Sequence, residues 1–193
     1  MKGDGLCAKT AARAVFAVSG FLILALSSCA ATSVHTEGSM PRCVRGERQS
    51  ALVYWGTDWR TDQKDVEQRE EAALRGIEDF FLQSTCYAAR HIERIASENA
   101  LHQNGVVSAP PGTDRIIVIT VRELGPVVRL CASPALVDGG TEAVIAVRVL
   151  AAEGGLLAEC KIHWQNGGPF VIKNTRTLRN DMHAALRAAL EPE

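Results

Sequence analysis

Arg115-Ile116-Ile117-Val118-Ile119-Thr120-Val121-Arg122-Glu123 places six consecutive apolar or β-branched side chains between charged ends. A run this short, with no polar alternation, fits a strand covered on both faces, so residues 115–123 predict the central strand of a sheet. Downstream, strands are expected at residues 127–132, 142–150 and 156–164, with Asp138-Gly139-Gly140 and Glu153-Gly154-Gly155 as turns. The last of these alternates most clearly. Leu156, Ala158, Cys160, Ile162 and Trp164 share one face, and Glu159, Lys161 and His163 the other. This half of the chain therefore reads as an antiparallel meander.

Upstream, Ser108-Ala109-Pro110-Pro111-Gly112 is a loop, and residues 86–95 fit either a strand or the start of a helix. The strand is the preferred reading, followed by a short helix near residues 95–103 that ends at Asn104-Gly105. Ala51-Leu52-Val53-Tyr54-Trp55, stopped by Gly56, reads as a first strand. Between them, residues 62–83 carry Val66, Ala73, Leu74, Ile77, Phe80 and Phe81 on one helical stripe. Asp65 with Arg69 and Glu71 with Arg75 are spaced as i,i+4 pairs on the outer face. Gly76 costs that helix about 1 kcal/mol relative to alanine and marks a close approach, expected to be to the sheet. A second amphipathic helix is expected over residues 175–190, with Leu178, Met182, Ala185, Leu186 and Ala189 inward and Asn174 or Thr175 as its cap. The expected fold is α+β, a two-layer arrangement of a single mixed sheet with two helices on one face.

The start of the chain has a different character. Lys2, Lys9 and Arg13 outweigh Asp4, and residues 14–26 are 13 residues interrupted only by Ser19 and Gly20. Such a segment covers about 20 Å of a bilayer core roughly 30 Å thick, too little to span it, so it reads as the apolar region of a signal peptide. Leu26-Ser27-Ser28-Cys29 follows directly and resembles a bacterial lipobox. That resemblance implies cleavage after residue 28, a diacylglyceryl thioether on Cys29 and acylation of its amino group. Two or more chains suffice for stable anchoring where one does not. Ala30, standing where aspartate favours inner-membrane retention, implies the outer membrane. An ordinary secretory signal, cleaved near Ser27, Ser28, Ala30 or Ala31, is the alternative.

Residues 29–193 carry 18 Lys plus Arg against 21 Asp plus Glu, a net charge of −3 that argues against a nucleic-acid partner. Their length suits one domain with a real core. The organisation expected is a cleaved leader over 1–28, a lipidated tether over 29–48 and one periplasmic domain over 49–193. Residues 30–46 lack apolar periodicity and predict a flexible segment with a reach of about 20–25 Å. Cys43, Cys86, Cys131 and Cys160 remain after Cys7 and Cys29 are set aside, an even number for an oxidising compartment. Their spacing matches no zinc-ligand pattern. The favoured pairing is Cys43 with Cys86 and Cys131 with Cys160, although Cys131 shares a strand face with Arg129 while Cys160 lies on an apolar one. Buried free thiols are the alternative for either pair.

The order of a strand, a helix running into Gly76-Ile77-Glu78-Asp79-Phe80-Phe81, a second strand, Thr113-Asp114-Arg115-Ile116-Ile117-Val118-Ile119 and a meander resembles three groups of periplasmic domains. They are the curli-pore-type lipoproteins, the amino-terminal domain of TolB and the auxiliary lipoproteins of ABC transporters. The resemblance covers roughly residues 50–190. It implies an assembly, transport-accessory or scaffolding role in the envelope, and carries no functional residues with it.

No nucleophile elbow, zinc-protease motif, phosphate-binding glycine loop or Cys-x-x-Cys occurs. His35, His91, His102, His163 and His183 are scattered, and no catalytic or metal-binding residue is assigned. Asp58, Asp62, Asp65, Glu67, Glu70 and Glu71 are interleaved with Arg60, Lys64 and Arg69, which reads as a solvated helix face. Candidate partner contacts are Trp55 and Trp59, crowded beside Tyr54, although core packing is the first reading of large tryptophans and an interface anchor follows only if Trp59 is exposed. Phe170 is a third, in Asn166-Gly167-Gly168-Pro169-Phe170-Val171-Ile172, an apolar loop or edge strand. The function expected is a lipid-anchored envelope protein of binding or assembly type, without a cofactor beyond its lipid and not an enzyme. It would contact the membrane through Cys29 and another envelope protein through its domain. Carriage of an apolar ligand, or a periplasmic enzyme with a site assembled across the chain, are the competing readings.

Overall fold

The computed structural model describes residues 30–39, 41, 43, 46–96, 109–130, 137–169, 171 and 173–191. The elements are β1 (Ala31–Gly38), β2 (Gln49–Thr57), α1 (Val66–Gln83), β3 (Tyr87–Arg94), β4 (Arg115–Leu130), β5 (Val137–Ala151), β6 (Leu156–Pro169), a 3₁₀ turn (Thr175–Thr177) and α2 (Leu178–Leu190). The strands form one six-stranded sheet in the order β1-β6-β5-β4-β2-β3. β2 is parallel to both β3 and β4, and the remaining pairs are antiparallel, so the fold is α+β with a mixed sheet. Parallel neighbours require a crossover, and α1 supplies it between β2 and β3.

β4 is the central strand its sequence predicts. Ile117, Ile119 and Val121 enter the core that also receives α1 and α2, while Ile116 and Val118 alternate onto the opposite face and are equally buried. The core joins Ala73, Ile77, Phe80 and Phe81 of α1 and Met182, Ala185, Leu186 and Ala189 of α2 to Ile145, Val147, Ile162 and Trp164 of the sheet. Full burial of each large apolar side chain contributes about 1.5–3 kcal/mol. A Cβ at Gly76 would lie 2.6 Å from Met182 Cβ and 2.7 Å from Arg179 O. The close approach marked by that glycine is therefore between the two helices, not between helix and sheet. Arg179 also pairs with Asp79 across this contact, and its hydrogen bond holds the Asp79 carboxyl below the usual range.

Several expectations are corrected. Residues 127–130 are not a separate strand but continue β4 beyond a register shift between Val121 and Glu123. Arg122 falls out of the ladder there and the strand passes it as a bulge. Past Val121 no pairing with β2 continues, so Pro126 occupies a locally free edge where a missing N–H is tolerated. The tether expected over residues 30–46 is in part a strand, because Ala31–Gly38 pairs along its whole length with β6. α1 and α2 begin at Val66 and Leu178, four and three residues inside the expected starts. Asn174 accepts from the Arg176 N–H at 3.0 Å and so caps the 3₁₀ turn that precedes α2. The short helix expected near residues 95–103 falls mostly outside the described residues.

Cys43 and Cys86 form a disulfide with a Cα separation of 5.6 Å. Cys160 is a free, buried thiol. The expected bond to Cys131 is therefore absent at Cys160. Cys131 itself, like Cys29, lies outside the described residues.

Candidate interaction surface

The aromatic junction is a packed corner. On β2, Trp55 alternates with Tyr54 and so points the same way as Ala51 and Val53, into the core, with 3% exposure. That burial leaves it no surface for a partner and corrects its candidacy. The Arg94 guanidinium covers its ring 5.4 Å from the centroid, a cation–π contact. Trp59 is half-buried against the core, and its Nε1 donates to Glu70 Oε1 at 3.3 Å. The same oxygen accepts from Thr57 Oγ1 at 3.1 Å and from Arg94 Nη2 at 2.5 Å. Glu70, read from sequence as part of a solvated acidic face, is thus the acceptor that ties β2, α1 and β3 together. Phe170 lies outside the described residues.

Arg69 is also misplaced by the helical charge rule. It is 7% exposed, and its Nη1 donates to Glu123 Oε1 at 3.0 Å and Leu124 O at 2.6 Å instead of pairing with Asp65. Arg75 pairs with Glu78, not Glu71. A Cβ at Gly125 would sit 1.8 Å from Arg69 Nη1, so only glycine there lets the guanidinium reach the bulged stretch of β4. Breaking a buried ion pair by removing one partner costs about 3–5 kcal/mol, which makes this contact a structural tie.

At the far end of the sheet, Val127, Gly140, Gly167 and Ala31 lie opposite one another on β4, β5, β6 and β1. This transverse row has almost no side chains, and it floors an open groove of about 190 Å³. Gly140 and Gly167 are glycines because the strands approach closely: a Cβ on Gly167 would lie 2.4 Å from Gly139 O and 2.8 Å from Gly140 Cα. Glu142, Gln165 and Ser33, also opposite one another, form one wall. His163 Nε2 lies 3.0 Å from Glu142 Oε2 and 2.8 Å from Gln165 Nε2. A protonated Nε2 donates to Glu142, and a bare one accepts from Gln165. Alternation places His163 on this face from sequence alone, but its pairing with Glu142 depends on register. Among the described residues no three or more His, Cys, Asp or Glu side chains converge as metal ligands. No described helix is long and apolar enough to cross a membrane.

The sheet has two outer strands. β3 is tied inward by buried Tyr87 and by the disulfide at Cys86. Arg48 donates to Phe81 O at 2.9 Å and Tyr87 O at 3.2 Å, and Glu191 Oε1 accepts from Ser84 Oγ at 2.6 Å, Thr85 N at 2.8 Å and Cys86 N at 3.2 Å. Partial burial of Glu191 pushes its carboxyl up, but the hydrogen bonds from Ser84, Cys86 and Thr85 outweigh it and hold the group below its ordinary range. β1 is different: all eight of its residues are exposed. Beyond its ladder to β6, the contacts that hold it among the described residues include Asn166 Nδ2 to Thr32 Oγ1 at 2.7 Å, Ser39 N to Glu159 O at 2.8 Å and the exposed Lys161–Glu37 pair at 4.0 Å.

No protein-family model matches the chain, and no curated protein matches it in sequence. Among solved structures it is similar to the PelC dodecamer from Paraburkholderia phytofirmans, at 14% identity and a TM-score of 0.41, over 84% of this chain and 100% of that one. It is also similar to a neuraminyllactose-binding hemagglutinin homolog from Helicobacter pylori, at 11% identity and a TM-score of 0.38, over 73% and 78% of the two chains. Lipoprotein GNA1162 from Neisseria meningitidis gives 17% identity and a TM-score of 0.36, over 72% and 96%. All three TM-scores are below 0.5, and no function is transferred from them.

Proposed function

We propose that this chain is a lipid-anchored cell-envelope protein of the binding or assembly kind, an accessory or scaffold subunit at the periplasmic face of the outer membrane. The observation that carries this reading is the open edge of β1, which begins two residues after the lipobox cysteine and exposes every side chain. An exposed edge presents a row of unpaired backbone groups, a surface made for adding another strand. The Cys43–Cys86 disulfide supports an oxidising compartment. Export as a lipoprotein would remove residues 1–28 and leave Cys29 acylated. With β1 part of the sheet, the anchor then leads almost directly into the domain and holds that edge close to the bilayer.

The groove over Gly140 and Gly167 does not favour ligand carriage. Its volume of about 190 Å³ is below the roughly 300–1,000 Å³ usual for small-molecule sites, and it is open, with Val127 and Ala31 set among glycines and polar side chains instead of an enclosed apolar wall. The proposed function is tested by replacing Cys29 with Ser and following acyl labelling and envelope fractionation. Loss of label and release from the membrane are expected, and a variant still acylated and membrane-bound refutes the anchor. Cross-linking in the native envelope, read by mass spectrometry, tests the binding role. Recovery of co-purified lipid with no protein partner would sink it.

A further inference from the structure

We propose that β1 is a self-association edge: two copies pair their β1 strands antiparallel about a two-fold axis through Val34, joining two six-stranded sheets into one. This deepens the binding reading above by making the partner a second copy of the chain. Facing residues in a ladder share a sheet face, so a symmetric antiparallel pair must centre on a residue and not between two. Centring on His35 sets the two His35 rings against each other. Centring on Thr36 brings Gly38, at φ 95°, into the new ladder, and centring on Ser33 leaves the end of the strand unpaired. Only Val34 engages residues 31–37 throughout.

That register is also chemically self-complementary. Thr32, Val34 and Thr36 occupy one face and read the same in both directions, so Val34 meets Val34 and Thr32 meets Thr36 of the second copy. Such β-branched cross-strand pairs are favourable, and on the other face Ser33 meets His35 and Ala31 meets Glu37, with no like charges opposed. The apolar row of the sheet points the same way. Leu124, Ala143, Trp164 and Val34 lie opposite one another on β4, β5, β6 and β1, and the first three are buried while Val34 is 47% exposed. The row runs outward to the edge and stops at an uncovered valine. The second copy's Val34 would extend it. The β1–β6 register has no bulge, and β1 carries neither proline nor lysine, the usual devices that block an edge. One strand pair buries little area, and anchoring at Cys29 would supply the effective concentration by confining copies to a surface.

The test uses the full-length chain in its native envelope, with single cysteines and mild oxidation. Val34→Cys is expected to give a disulfide-linked homodimer, while Leu82→Cys, on the 78% exposed Leu82 of α1, is not. Thr32→Cys and Thr36→Cys are expected to cross-link to each other when co-expressed, and neither to itself. The proposal is overturned if Val34→Cys yields no more dimer than Leu82→Cys, if it captures only a different protein, or if the Thr32 and Thr36 variants fail to join. Val34 is exposed, so misfolding is not at issue, and persistence of Cys43–Cys86 checks this. In the Cys29→Ser background, protein that stays membrane-bound refutes the anchor, whereas the Val34 cross-link alone decides the edge.

Discussion

β3 closes one side of the sheet with Arg90, His91, Glu93 and Arg94 among eight residues and a register shift against β2 between Ala51 and Leu52. β1 closes the other with His35 and Glu37 among eight residues and an unbroken register against β6. Charges and irregular pairing discourage a further strand, so β3 has the features of an edge guarded against association and β1 lacks them. They differ as much in how they are held. The start of β3 is fastened by a covalent bond, an arginine and a carboxylate, while β1 depends chiefly on backbone hydrogen bonds that any extended segment makes, with a few exposed side-chain contacts. One edge is built to stay closed and the other to be used.

Removing the disulfide should change this contrast most. The crossover from β1 to β2 runs through Cys43, and a closed loop with a separation of 43 residues is worth about 3–4 kcal/mol in chain entropy. The double variant Cys43→Ser, Cys86→Ser should lose about that much in urea unfolding, and amide exchange at β1 should rise more than at β4. A smaller loss is expected from Gly38→Ala. Its φ of 95° disfavours a side chain and the new Cβ would lie 2.4 Å from Glu159 O, so about 1–2 kcal/mol should be lost, with faster exchange in β1 and none in β3.

Acid should act on the opposite edge. The Glu191 carboxyl is held below its ordinary value of 4.5, so its contribution is complete above that pH and disappears as pH falls through the lower folded value. Glu191→Gln should remove this acid-sensitive component from a stability–pH curve, and amides of residues 84–87 should report it first. The smallest effect on the monomer is expected from Val34→Lys. An exposed substitution of this kind changes stability by about 0.5 kcal/mol or less, yet the lysine should give β1 the guard it lacks and abolish the Val34-centred pairing. A retained dimer by cross-linking of Thr32→Cys with Thr36→Cys in that background would show that the edges do not differ in the way described.

The guarded parts of the fold are the ones legible in sequence. The run over residues 116–121 is apolar without alternation because β4 has neighbours on both sides and cover on both faces, and the stripe ending in Phe80 and Phe81 declares its own burial. β1 is silent because its stabilisation is backbone pairing. Ala31-Thr32-Ser33-Val34-His35-Thr36-Glu37-Gly38 has no buried side, and only the alternating β-branched Thr32, Val34 and Thr36 hint at extension. Arg69 looked like a surface partner for Asp65 since spacing along a helix is local, whereas Glu123 and Leu124 O reach it only after β4 bulges. Pairing Cys131 with Cys160 assumed that segments near in sequence are near in space, and β5 intervenes between β4 and β6. For Trp55, the alternation that put Ala51 and Val53 inside was sufficient to put the indole there too. Glu142 and His163 meet only through the β5–β6 register, which no motif spells out.

The buried thiol of Cys160 bears on how the chain matures. It is 2% exposed in the finished fold, and burial pushes the thiol pKa up, with Glu159 adding to the effect. Neither condition holds before α2, which follows it in the chain, has settled over β6. Until then Cys160 is a further accessible sulfur that can attack or be captured by Cys43 or Cys86, since exchange proceeds through whichever thiolate is free. Packing of the final helix over the sheet would then withdraw Cys160 from that exchange. Oxidative refolding of a chain truncated before that helix would then be expected to give more mispaired Cys160 than the full chain.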